Sequence, residues 1–210
     1  KTASIPEQQE KAEDFLVWRK LVNTMAIWEY GPNFSNYMRI VTGFLTQCEN
    51  IRFYKEHNVS GIMMQEVSGP RGGDLQQLRA WIFAKLLWNP ALDPNKLAWE
   101  YCQGVYGSAA EIMYEYYNFV QKPSKEGMLF EEYYADKLSE HLLYFAGQFE
   151  KAKKLAAEIP TAMKQLEIDS LPVNIALLDE LFEQYPKNQK DFPFDKYKER
   201  FDLVKNIVTK

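Results

Sequence analysis

The sequence predicts a mainly α-helical protein with a minor parallel β component, arranged as the C-terminal βα units of a (β/α)8-barrel-like domain followed by a helical-hairpin region. Three observations predict it. Two short β-like runs, residues 24–30 and 59–66, each end in polar groups. A glycine-bearing stretch, Gly69-Pro-Arg-Gly-Gly73, joins the second run to an apolar helix that stops at Asn89-Pro90. Strand, polar strand end, glycine loop and returning helix form the repeating unit of a parallel α/β enzyme. Beyond residue 108 no strand pattern occurs, and apolar residues recur at steps of three and four. Two parallel strands cannot close a sheet, and parallel sheets are covered on both faces. The division is therefore placed at residue 107, with 1–107 as barrel units and 108–210 as a helical appendage packed on them.

The elements follow in order. Residues 7–22 carry Phe15, Leu16, Trp18, Arg19 and Val22 near helical spacing, and Thr24–Tyr30 is a buried strand halted by Gly31-Pro32. Phe44, Leu45, Cys48, Ile51 and Tyr54 form one face of a helix over 44–57, which Asn58 breaks before the second strand. Asp74, with Gln77 three residues on, has the pattern of a capping box, and Pro90 closes that helix. Asp93-Pro94 is an N-cap with proline at the first helical position, opening a helix through about Val105. Helices over 108–121, 129–157, 160–168, 173–185 and 194–208 complete the chain, with loops at 121–127 and 186–193.

Composition narrows the function. With 210 residues and 46% hydrophobic positions, roughly 70% of the unfolded surface can be buried in one core. Twenty-five basic residues stand against 29 acidic ones, a net charge of -4, without a basic cluster; nucleic acid and anionic membrane are not expected partners. No run of about 18 apolar residues occurs, so no membrane span is expected. Two histidines and two cysteines lack zinc-site spacing, and the glycine loop lacks the Gly-x-x-x-x-Gly-Lys-Ser/Thr pattern of a nucleotide loop. No metal or cofactor is expected. Cys48 and Cys102 permit one disulfide at most.

Trp28-Glu-Tyr30, Asn50-Ile-Arg-Phe-Tyr-Lys55 followed by Gly61, Asp74-Leu-x-x-Leu-Arg79, Lys85-Leu-Leu-Trp-Asn-Pro90 and Tyr106-Gly-x-Ala-Ala110, in that order, resemble domain-of-unknown-function family 4838, a group of bacterial proteins related to glycoside hydrolases. The likeness covers roughly residues 15–150. It implies a barrel whose C-terminal part is this chain, a carbohydrate partner, the N-terminal remainder of the same protein as a second partner, and a periplasmic or secreted location. Family members usually carry Asp where Glu29 stands, a one-methylene difference that keeps the carboxylate.

In such a barrel the reactive side chains sit at the C-terminal ends of strands and on the loops after them. That rule selects Trp28, Glu29 and Tyr30 on the first strand and Gln65 and Glu66 on the second. Glycosidases use two carboxylates about 5 to 9.5 Å apart, and neighbouring strands lie about 4.8 Å apart. Glu29 and Glu66 are thus the candidate catalytic pair, with Trp28, Tyr30, Gln65 and Arg71 as candidate substrate-binding residues. The competing roles are structural: helix capping, pairing with Arg71 or Arg79, and aromatic core packing. Strand parity is open, because a strand this short alternates acceptably in either phase. Arg79 is expected to be a buried partner of a strand-end carboxylate, Arg71 to bind an anionic sugar or simply to lie in a turn. Trp81, Trp88 and Trp99 lie within helices and read as packing; the tyrosines at 114–117 and 133–134 line a groove or the interior. The preferred function is binding or hydrolysis of a poly- or oligosaccharide as part of a larger glycoside-hydrolase-like protein. The alternative is a non-catalytic helical module that binds glycan or supports a partner domain.

Overall fold

A computed structural model describes residues 6–67, 73–126, 128, 130–184 and 193–209. The chain is mainly helical, with one two-stranded parallel sheet among the described residues. Helix α1 (Pro6–Leu21) leads into β1 (Ala26–Tyr30), and α2 (Phe44–Glu56) crosses over to β2 (Gly61–Gln65). The strands pair in register from Ala26 against Gly61 to Tyr30 against Gln65. Gly31 extends the ladder, its N–H donating to the Gln65 carbonyl at 2.9 Å.

Helices α3 (Gln76–Trp88) and α4 (Pro94–Tyr106) follow, then a 3-10 turn at Gly107–Ala109 and α5 (Ala110–Lys125). The rest is α6 (Phe130–Tyr133), a 3-10 turn at Ala135–Lys137, α7 (Leu138–Leu155), α8 (Pro160–Asp169), α9 (Leu171–Gln184) and α10 (Phe194–Val208). One continuous apolar cluster runs through Phe44 and Cys48 of α2, Ile82 and Leu86 of α3, Met113 and Val120 of α5, Leu142 and Phe149 of α7 and Leu166 of α8. It includes residues from both sides of position 107.

The elements differ from the sequence expectation in three informative places. Asp74 does not cap α3: the helix begins at Gln76 after Leu75, which adopts a left-handed conformation (φ 46°) and makes no side-chain cap. The fully buried Asp74 carboxylate accepts instead from the Val41 N–H at 3.0 Å and the Tyr116 hydroxyl at 3.1 Å. In an apolar interior those two donors satisfy a charge that one terminal amide would leave half-bare.

Second, α5 runs past Pro123 rather than ending at 121. Proline removes the N–H that would bond the Phe119 carbonyl, and the Tyr134 hydroxyl takes that carbonyl at 2.9 Å. Third, the expected helix over 129–157 breaks at the same tyrosine. Its ring stacks on Phe119 at 4.4 Å, and the chain passes through a 3-10 turn before α7. The sequence left the pairing of Cys48 and Cys102 open, and both are buried free thiols, on α2 and α4. Burial pushes both up to about 12, which leaves them protonated and unreactive.

Candidate functional site

Strand parity organises the site. Ile62 and Met64 of β2 pack against the helical core, whereas Trp28, Tyr30 and Met63 are exposed on the other face of the sheet. Glu29 therefore points towards the helices and Trp28 away from them. The Tyr54 hydroxyl on α2 donates to Glu29 Oε2 at 2.9 Å. Burial and the adjoining carboxylate raise the Tyr54 pKa, so the phenol keeps its proton and remains the donor. Phe15 of α1 lies against Phe53 and Tyr54, and the Arg19 guanidinium donates to the His57 and Val22 carbonyls. These contacts fix α1 on α2 behind the sheet.

The exposed face holds a row of aromatic rings. Trp28 and Tyr30 stack at 6.3 Å, Tyr30 meets Phe34 at 5.2 Å, and Phe34 meets Tyr37 at 5.5 Å. Trp28 Nε1 donates to Gln65 Oε1 at 2.6 Å, pinning the indole against the neighbouring strand and leaving the Gln65 amide N–H group at the edge of the row. Gln47 of α2 donates to the Tyr30 carbonyl at 2.7 Å, so the strand end is tied from behind. The structure thus brings Trp28, Tyr30 and Gln65 together. Phe34 and Tyr37 extend the row although the sequence reading passed over them; their only sequence signal is their position just after the Gly31-Pro32 stop.

Glu66 lies one residue beyond β2, on the same face as Glu29. Its carboxylate is 3.5 Å from the Arg79 guanidinium of α3, and the two side chains are 15% and 2% exposed. The Arg79 nitrogens find no hydrogen-bond partner, so the pair is an ion pair across 3.5 Å rather than a hydrogen bond between the two groups. Burial pushes the Glu66 pKa up, opposed by Arg79 and by the Val67 N–H. Burial likewise raises Asp74, opposed by the same arginine. One guanidinium therefore serves two buried carboxyl groups. Gly31 makes room for this arrangement: a Cβ there would lie 2.2 Å from Glu66 Oε1.

Arg71, the fourth candidate binding residue, lies outside the described residues. Among the helix tryptophans, Trp81 packs beside Tyr101 and under the Lys85 ammonium, but Trp88 is 92% exposed rather than packed. Leu86, fully buried, is what anchors the end of α3; the next two positions rotate outward. Among the described residues no group of three or more His, Cys, Asp and Glu could hold a metal ion, and no helix is long and apolar enough to cross a membrane.

The family model described as Domain of unknown function (DUF4838) matches residues 2–118, which takes in both strands, α2, α3, α4 and the first half of α5. No curated protein and no solved structure matches the chain.

Proposed function

The chain belongs to the family of the Domain of unknown function (DUF4838), and from that premise we propose that it is the C-terminal portion of a carbohydrate-active, glycoside-hydrolase-like protein. The supporting observation is the aromatic row Trp28–Tyr30–Phe34 with the Gln65 amide, set at the carboxyl ends of two parallel strands. Pyranose C–H faces pack on aromatic planes, and a fixed amide beside them orients hydroxyl groups. In this reading the exposed sheet face lines a (β/α)8 barrel, and the outer edges of β1 and β2 pair with strands of the N-terminal remainder. A periplasmic or secreted location goes with a polysaccharide substrate.

Glu66 is the candidate general acid, because burial raises its pKa against the opposing pull of Arg79, the direction that general-acid work calls for. Glu29, the partner expected from the sequence, faces α2 and the Tyr54 hydroxyl, across the sheet from the rings. Both carboxyl groups already have protein partners on the helix side, Tyr54 and Arg79. That observation favours the second reading, in which this chain binds glycan without cleaving it.

Calorimetry and turnover assays on the complete protein with an oligosaccharide panel test these readings. Trp28→Ala and Tyr30→Ala are expected to weaken binding at least tenfold, about 1.4 kcal/mol; unchanged affinity in both would refute the carbohydrate face. Glu66→Gln is expected to lower turnover, and unchanged turnover leaves the binding role alone.

A further inference from the structure

The first turns of α4 and α5 enclose a groove of about 710 Å³, lined by Asp93, Lys96 and Trp99 from one side and Glu111, Tyr114 and Glu115 from the other. No strand-end residue contributes to it. Its floor is aromatic and rigid. Trp99 and Tyr114, both half-buried, meet nearly edge to face at 5.3 Å. Tyr114 stacks at 5.9 Å on the buried Tyr117, and the Tyr117 hydroxyl donates to Asn95 Oδ1 at 3.3 Å. The volume falls in the range of small-molecule clefts and exceeds what a single ammonium group needs.

The rim carries three carboxylates against the ammonium of Lys96. Asp93 caps α4, accepting from the Asn95 N–H at 2.8 Å, and Glu111 lies in the first turn of α5. With Asp93, Glu111 and Glu115 set against the one ammonium of Lys96, the lining carries more acidic than basic side chains. Glu115 is held by the Tyr144 hydroxyl at 2.9 Å. An aromatic floor under an anionic rim favours a cation that also has an apolar face, and it repels uronates and sulfated or phosphorylated sugars.

We propose that this groove is a second glycan-binding site, selective for sugars bearing a protonated amine, with the ring stacked on Trp99 and Tyr114 and the ammonium held by Glu111, Glu115 and Asp93. The proposal rests on the carbohydrate reading above, and it supplies a substrate class that the strand-end face does not specify.

The test uses the whole 210-residue chain and calorimetry with a glucosamine tetramer at a pH where its amines are protonated. The N-acetylglucosamine tetramer, a galacturonate tetramer and a tetralysine peptide are the comparison ligands. The glucosamine tetramer is expected to bind best and the galacturonate not at all, and the double variant Glu111→Gln/Glu115→Gln is expected to lose about tenfold or more in affinity. Those two residues are exposed, so the variant tests charge without disturbing the core; Trp99→Ala tests the floor. Equal binding of tetralysine would overturn the proposal, since the groove would then read charge alone. Trp28→Ala separates the two sites. If it abolishes glucosamine binding while the glutamine double variant leaves it intact, the groove proposal falls and the strand-end face stands. If only the double variant loses binding, the groove stands without the strand-end face.

Discussion

Asp169 gives the sharpest prediction from the structure. It is fully buried at the end of α8, where it accepts from the Tyr106 hydroxyl at 2.7 Å and from Gln165 Nε2 at 3.1 Å. No cation pairs with it among these contacts, and burial pushes its pKa from 3.8 to about 7, against the pull of the Tyr106 and Gln165 hydrogen bonds. A folded-state pKa above the unfolded one means the unfolded chain loses the proton first. Stability is therefore full below about pH 4, falls as pH rises towards 7, and levels off above. A shift of this size corresponds to at most about 4 kcal/mol across that window. Asp169→Asn removes the titration and keeps the bonds, since its carbonyl can accept from Tyr106 and its amide can donate to a turned Gln165. The assay is urea unfolding of both proteins from pH 5 to 8. The variant is expected to gain on the wild type as pH rises, and the raised carboxyl of Glu66, which both proteins carry and which does not act on Asp169, cancels from the difference. Parallel stability curves, with no widening gap between pH 5 and 7, would refute the argument.

Gly31→Ala is expected to push the Glu66 carboxylate off Arg79 and cost about 1–3 kcal/mol, a cost that unfolding titrations should find relieved in a Glu66→Ala background. Arg79→Met leaves two buried carboxyls without their shared cation, with an expected loss of about 3–5 kcal/mol by chemical denaturation; a loss near zero would mean Glu66 and Asp74 are both neutral in the folded protein. Tyr134→Phe strips the donor from the Phe119 carbonyl that Pro123 has already deprived of its helix bond, and a fall in stability of about 1–3 kcal/mol is expected in the same assay. Phe83→Ala, in the centre of the core, is expected to cost about 3–5 kcal/mol.

Much of the helical framework was legible because long apolar stripes at a period of 3.6 have one low-energy use. Punctuation was legible only where it acts locally. Asp93 caps α4 with Pro94 at its first position, as the dipeptide predicts. Asp74 and Pro123 carry equally strong local signals and obey neither, because long-range partners outbid the local rule: Val41 and Tyr116 for the carboxylate, Tyr134 for the carbonyl opposite the proline. The Glu66–Arg79 pair was anticipated from a cation on an apolar helix face. The space that Gly31 leaves for it depends on a contact 35 positions apart in the sequence and has no local signature.

The candidate site turned on a phase of one residue. In β1 the alternating sets are Ile27 with Glu29, and Trp28 with Tyr30; each pairs an apolar body with a polar tip, so hydrophobicity does not choose between them. The choice is made elsewhere, by Ile62 and Met64 packing inward from the in-register partner strand and by Tyr54 on α2 offering Glu29 a donor. Once that phase is set, the carboxylates and the aromatic rings cannot share a face. A ligand lying on Trp28 and Tyr30 meets Gln65 directly, whereas Glu66 lies behind the strand end against the buried Gly31. The absence of a side chain at Gly31 is thus what lets the Glu66 carboxyl sit at the strand end, and Gly31→Ala, which displaces that carboxyl, is expected to lower turnover of a cleaving protein more than it weakens glycan binding. An equal loss in both would place Glu66 outside the chemistry.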